Sequence, residues 1–336
     1  MVLAMKLAAI VLMHHRPQQA IELIDLLLQR GVSVVVHVDA NATDDLLKSV
    51  QSALAGRGVE FADRVRCAWG EFSIVQATLN ALLTIEQIGW CPDYVMLFSG
   101  ADFPIRPHGD LVKFLDTHRG IEFIQSHPIT QPWVRCGPQA QRLEHYFPAG
   151  WRASPALFGL SFSMQSVAGI KRRLPGGISA YIGSQWWALT WPTCVSVLDF
   201  VRSRPDISAF FRTALVPDES YFQSLVRTLV PGDRIANSSL TYSEFDEDGQ
   251  PLTLHNDHLH YLERQPFFFA RKFSPHAASL RKILTEIWLS ESGSDQILPA
   301  CRVPDGSFEH FVQAERHGSP GLPLWFKAGS DSGSNP

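Results

Sequence analysis

Two acidic residues open the segment VPDESYFQSL (216–225). Pro217 stands where a helix can begin, so Asp218 and Glu219 fall in a first turn, where the helix dipole favours ionised carboxylates. Both acids could simply complement that helix start, or Glu219 could be a general base facing a cleft. A second candidate is Arg271-Lys272, near the end of the apolar run FFFARKF (267–273). Two cations just past a buried strand can clamp a pyrophosphate. The plainer alternative, a solvated edge, is weakened by the aromatic residues on both sides.

Further polar residues stand where apolar runs end. LFSGADFPI (97–105) puts Ser99, Gly100 and Asp102 past a strand, with Gly100 marking a tight turn or a close backbone approach. In HVD (37–39), Asp39 could accept hydrogen bonds from a base or ribose, or cap the helix that follows. Trp186, Trp187 and Tyr242 could stack on a ligand's rings or pack in the core; alternation along a strand is expected to send the two tryptophans to opposite faces. Asp246-Glu247-Asp248 precedes Gly249 in a polar stretch and is expected to be a solvated turn. His255, His258 and His260 have no accompanying cysteine and lack the HExxH spacing, so a polar loop is preferred to a metal site.

These residues need a frame. KLAAIVLM (6–13), VSVVVHVD (32–39) and YVMLFSG (94–100) are apolar runs of the kind buried on both faces. Between them lie helical patterns: Pro17 to Gly31, a segment capped by Thr43, and Ser73 to Ile88. A short strand is expected near Val65–Ala68, a helix from Pro107 to His118 and a strand at 121–126. Such alternation predicts βαβ units and a mostly parallel sheet, whose ligands gather at the carboxyl ends of the strands. His14, His15, His37, Asp39, Trp69, Ser99 to Asp102, and Ser126 to His127 occupy those ends.

The second half is less regular. Residues 127–160 suggest a long functional loop region, YIGSQWWALT (181–190) enters a strand, and helices are expected over 192–202, 217–229 and 275–289. The reading is a single domain over 1–327, with a nucleotide-binding half (about 1–126), a more elaborated half (about 127–327) and a disordered tail at 328–336.

The missing signatures narrow the chemistry. There is no GxxxxGK loop, no GxGxxG turn after a strand and no GxSxG elbow. A formal charge of −4 argues against a general nucleic-acid binder. Cys67, Cys91, Cys136, Cys194 and Cys301 form no CxxC pair, which suits a reducing compartment. No apolar run reaches the roughly 20 residues that span a bilayer. The expected location is the cytoplasm of a bacterial-type cell, with peripheral membrane association allowed, and the Golgi only if the source is eukaryotic.

IVLMHHRP, VVVHVDA, WGEFSIVQATLNALL, YVMLFSGADFPI, GSQWWALT, VPDESYFQSL and FFFARKF occur together in this order from about residue 7 to 273. In this the chain resembles the core-2/I-branching β-1,6-N-acetylglucosaminyltransferases and the peptide O-xylosyltransferases, glycosyltransferase family 14. Each motif is weak singly; seven in order are specific. GSQWWALT and SYFQSL look closer to the xylosyltransferase branch.

The resemblance implies an α/β, GT-A-type (Rossmann-like) fold with a mostly parallel central sheet. It also implies inverting, metal-independent transfer of GlcNAc or xylose from a UDP-sugar to a glycan or peptide hydroxyl, without a cofactor. Glu219 becomes the catalytic base. Lys272, with Arg271, holds the diphosphate, and His14 and Asp39 line the nucleotide. Ser99 and Asp102 are expected on the donor side; Trp186, Trp187 and Tyr242 are expected on the acceptor side. The branching enzymes carry a further arginine about two dozen residues before the lysine. Here that region reads DEDGQPLTLHND, and Arg271 is the expected substitute. A glycan-binding module or a glycoside hydrolase using the same cleft is the alternative; the hydrolase would need a second carboxylate at a defined separation.

Overall fold

The computed structural model describes residues 5–131, 140–147, 149–150, 155–245 and 251–291. The apolar runs form strands β1 (Leu7–Met13), β2 (Ser33–Val38) and β4 (Tyr94–Ser99). They are apolar throughout because both faces are covered. Ala9, Val11, Val34, Val36, Met96 and Phe98 join the core on one side of the sheet, and Ala8, Ile10, Val35, Val95 and Leu97 the core on the other.

Helix α1 (Pro17–Gln29) starts on its proline and buries Ala20, Leu23, Ile24 and Leu27. It stops before Gly31, whose φ of 73° suits a residue without a Cβ. In α2 (Asp44–Leu54) the Thr43 hydroxyl accepts the Leu46 N–H at 3.2 Å, as a cap should. Helices α3 (Phe72–Gln87) and α4 (His108–Thr117) follow.

The main sheet has six strands in the order β3-β2-β1-β4-β9-β6. β1, β2, β3 (Val59–Phe61) and β4 run parallel. β9 (Trp187–Thr190) lies antiparallel between β4 and β6 (Phe123–Ile124). This is the α/β architecture with a mostly parallel central sheet that the sequence led us to expect. A smaller sheet, β10-β11-β5, joins Thr241–Ser243, Phe269–Arg271 and Phe103–Pro104.

Two expected strands differ. The third strand is Val59–Phe61, not Val65–Ala68. The later segment spends its hydrogen bonds on the end of β2: Val65 N–H donates to His37 Nε2 at 3.0 Å, and Ala40 N–H to the Val65 carbonyl. The expected strand at 121–126 is reduced to two residues. Beside it Glu122 is fully buried, accepting from Thr190 N–H and from the hydroxyls of Thr190 and Thr193. The helix Ala278–Leu289 returns to α1, with Trp288 Nε1 donating to the Leu26 carbonyl and Arg281 paired with Glu22. Cys136, Cys301, the triplet 246–248 and the tail 328–336 lie outside the described residues.

Candidate functional site

Strand β4 is buried until Ser99, and the turn after it folds back on itself. Ser99 donates its N–H and its hydroxyl to the Asp102 carboxylate at 2.8 and 2.7 Å. Asp102 is fully buried. Burial pushes its carboxyl above the ordinary range; Arg271 and the two Ser99 hydrogen bonds pull the other way. Its third partner is Arg271 Nε at 3.1 Å. Ser99 and Asp102, expected on the donor side, thus engage each other and hold an arginine. Gly100 has a reason of its own: a Cβ there would lie 3.0 Å from the Cβ of Ala20, so glycine admits α1 rather than a ligand.

The guanidinium of Arg271 also lies over the Trp186 ring, 4.2 Å from its centroid. Lys272 follows, partly buried. Burial first, then the charges of Arg271 and Arg16, hold its ammonium below the ordinary lysine value. The loop after β1 faces the same charges. Loss of hydration, then Lys272, lowers His14. His15, stacked on His14 at 4.0 Å, is lowered to about 4 by burial and by its cationic neighbours. Lys272, His14 and His15 therefore all lie in a positive potential around Arg16, Arg271 and Lys272. An anion would relieve that mutual repulsion.

Asp39 ends β2 beside this loop, its N–H donating to the Met13 carbonyl. Its Oδ1 accepts the N–H groups of Asn41 and Cys67 at 2.8 and 3.1 Å. The cap for α2 comes from Thr43, so Asp39 organises the loop before that helix without capping it.

Glu219 does not stand in the first turn of an α-helix. Pro217–Glu219 form a single 3-10 turn, entered through Val216 at φ 51°. Ser220 then breaks the path, and the α-helix begins at Tyr221 and runs to Leu229. Both acids therefore lie just before that helix and not in its first turn. Asp218 is buried, whereas the Glu219 side chain is 34% exposed. Glu219 accepts from Arg142 at 2.6 Å, and its carbonyl accepts the Gly183 N–H at 2.9 Å.

The segment from Gly183 into β9 connects these groups. Gly183 packs so closely on the Gln125 backbone that a Cβ would fall 2.0 Å from its carbonyl oxygen. Gln223 donates to the Ser184 carbonyl at 2.7 Å, and the Ser184 hydroxyl accepts the Trp186 N–H. Trp186, just before β9, and Trp187, its first residue, are both buried in the same core, so strand alternation does not part them to opposite faces as expected. Trp186 carries Arg271; Trp187 packs against Phe222. Tyr242 lies on β10, one residue before Ser243, which is in register with Arg271. Its hydroxyl donates to Glu244 at 2.6 Å and meets Tyr261. Burial and these partners hold the phenol neutral.

The structure thus brings His14, Ser99, Asp102, Trp186, Arg271 and Lys272 together around the ends of β1, β4 and β11. Glu219 is linked to them through Gly183–Trp186. Sequence reasoning missed two cations. Arg142 lies 77 residues from Glu219, with no local signal to join them. Arg16 stands in the glycine-free turn MHHRP after β1, with no local signal tying it to Arg271 or Lys272. Among the described residues no three His, Cys, Asp or Glu side chains gather as metal ligands; His258 meets Asp257 and the backbone of His255. Cys67, Cys91 and Cys194 are free thiols.

The profile of the Core-2/I-Branching enzyme family matches residues 8–263. Similar curated proteins include xylosyltransferase oxt of Drosophila melanogaster, 25% identical over 254 residues, covering 67% of this chain and 26% of that protein. Xylosyltransferase 1 of Rattus norvegicus is 24% identical over 241 residues, covering 62% of this chain and 26% of that protein. The chain therefore spans about a quarter of the length of the curated relatives it matches. Among solved structures, the apo form of glycosyltransferase GlyE from Streptococcus pneumoniae TIGR4 aligns with 86% of this chain and 61% of its own, at 11% identity and a TM-score of 0.29.

Proposed function

This chain belongs to the Core-2/I-Branching enzyme family, and from that premise we propose that it is an inverting glycosyltransferase. It moves GlcNAc or xylose from a UDP-sugar to a hydroxyl of a glycan or peptide. Transfer is one displacement. The acceptor oxygen attacks the anomeric carbon while Glu219 takes its proton, and the bond from that carbon to the UDP oxygen breaks. UDP leaves with added negative charge, which Lys272 and Arg271 stabilise, with Arg16 contributing to the same field. Their fixed charges replace the divalent cation that other nucleotide-sugar enzymes use. Asp102 and the Trp186 ring orient Arg271, and Ser99 orients Asp102. His14 and Asp39 border the nucleotide. Arg142 orients the Glu219 carboxylate, and Trp186 and Tyr242 are the aromatic groups nearest the sugar path.

One observation carries this reading: the short segment Gly183–Trp186 touches the backbone of Glu219 at one end and the guanidinium of Arg271 at the other. A base and an anion clamp fixed to one rigid piece have a defined separation, as an in-line displacement needs. Its test is a thermal-shift screen of UDP-xylose, UDP-GlcNAc, UDP and uridine in EDTA. A donor at about 100 times its Kd stabilises by about 2.7 kcal/mol. The expected result is a shift with UDP and with one of the two sugars, none with uridine, and the same shift for UDP when manganese replaces EDTA. Absence of any UDP shift without manganese would overturn the cation clamp.

A further inference from the structure

The helix Pro155–Val167 contains no charged residue and is apolar on two sides. Inward, Phe158 joins Phe147, Leu215 and Val216 in a small cluster, and Gln165 exchanges hydrogen bonds with the Tyr146 backbone. Outward, Leu157, Leu160, Met164 and Val167 form one stripe at helical spacing, continued by Ile170; exposure along it runs from 43% to 91%. A contiguous exposed row of five large apolar side chains marks an interaction surface.

The charge around it identifies the partner. The whole chain has a net charge of −4, yet between Glu122 and Asp199 the described residues carry four arginines and lysines (Arg142, Lys171, Arg172 and Arg173) against one acidic residue, Glu144. Arg142 is engaged by Glu219 and Arg172 is buried, whereas Lys171 and Arg173 are exposed at the end of the stripe. Lys171 also reaches Glu144 at 3.4 Å. An apolar row bordered by cations suits an anionic lipid surface, where side chains enter the acyl boundary and cations meet headgroups. A second copy of the chain would bring like-charged patches together.

We propose that the Leu157–Ile170 face docks this protein on anionic bilayers, as a peripheral attachment; among the described residues no helix is long and apolar enough to cross a membrane. Val216, beneath Phe158, lies three residues before Glu219. Resting on the assignment of Glu219 as base, the favoured acceptor is a hydroxyl on a bilayer-anchored glycan.

The test is sedimentation of the full chain with vesicles of phosphatidylcholine alone or mixed with phosphatidylglycerol. Binding is expected with the mixture, weakened by high salt. Leu160→Glu with Met164→Glu should abolish it. Lys171→Gln with Arg173→Gln should lower the partition coefficient roughly thirtyfold. UDP titration checks folding and is expected to be unchanged in both variants. Wild-type chain that stays in the supernatant, or variants that bind like wild type, would overturn the proposal. So would a dimer by light scattering that Leu160→Glu with Met164→Glu makes monomeric, with no vesicle binding. Vesicle binding is read without turnover, so its failure is separate from failure of the Glu219 assignment.

Discussion

Two arginine–carboxylate pairs flank the proposed reaction path, and they are built in opposite ways. Beneath the donor side the carboxylate of Asp102 is fully buried and Arg271 is the more exposed partner, 15% open. On the loop that carries Glu219 the carboxylate is 34% exposed and Arg142 is the more buried partner, at 14%. The surroundings follow suit. At the strand ends His37, Asp39 and Asp102 are each wired to protein N–H or O–H groups. Glu219 itself sits on a 3-10 turn, its carboxylate taking a hydrogen bond from Arg142 and its carbonyl one from the Gly183 N–H. In each pair the more open member is the one that the proposed chemistry requires to meet substrate. The buried member aims it. One region is a floor that stabilises; the other is a working edge.

That contrast breaks most visibly at the edge. Glu219→Gln preserves the shape of the side chain and removes the base, so turnover is expected to fall by roughly 10²–10⁴. UDP affinity and melting temperature should hardly move. Initial rates with calorimetric UDP titration would decide it, and a fully active variant would end the assignment.

A change in the floor should register differently. Asp102→Ala leaves Arg271 without its carboxylate in a largely dry site, and breaking a buried pair costs roughly 3–5 kcal/mol. Loss of melting temperature together with weaker UDP binding is expected. A variant that melts like wild type but no longer turns over would show that the floor takes part in chemistry and blur the distinction.

The smallest effect sharpens the comparison. His37 is buried and its Nε2 accepts the Val65 N–H, and burial lowers its pKa to about 4. The unfolded chain binds this proton near pH 6.5 and the folded chain does not, so stability is lost as pH falls from that value toward 4. At pH 5.5 the loss is about 1.4 kcal/mol from this group. Urea midpoints at pH 7.5 and 5.5 would measure it, and His37→Gln, which keeps an acceptor without a titrating proton, should reduce the difference. An unchanged pH dependence in that variant would remove His37 from the floor.

The floor was legible in the sequence because its strands are buried on both faces and so are written as unbroken apolar runs. The positions of Ser99, Asp102 and Asp39 at strand ends follow from that alone. Their partners do not. Arg271 lies 169 residues from Asp102 and Arg142 lies 77 from Glu219, and no local period links them. Local preference also misled at two places. Val65–Ala68 has strand-like residues, but its hydrogen bonds go to the end of β2. Pro217 opens a turn as a helix-starting proline would, but Ser220, at φ −141°, ends it before the α-helix begins. β9 enters antiparallel, a sheet position that periodicity cannot assign.

The Asp102–Arg271 pair also constrains how the protein can be made. Synthesis at roughly 5–20 residues per second puts about 8–34 s between the two side chains emerging from the ribosome. During that interval the nascent chain holds all of β1 to β4 but lacks Arg271, the arginine that pairs with Asp102. The proposed donor site is thus a late product of translation, and the first half of the chain must wait, partly unsatisfied, for the second.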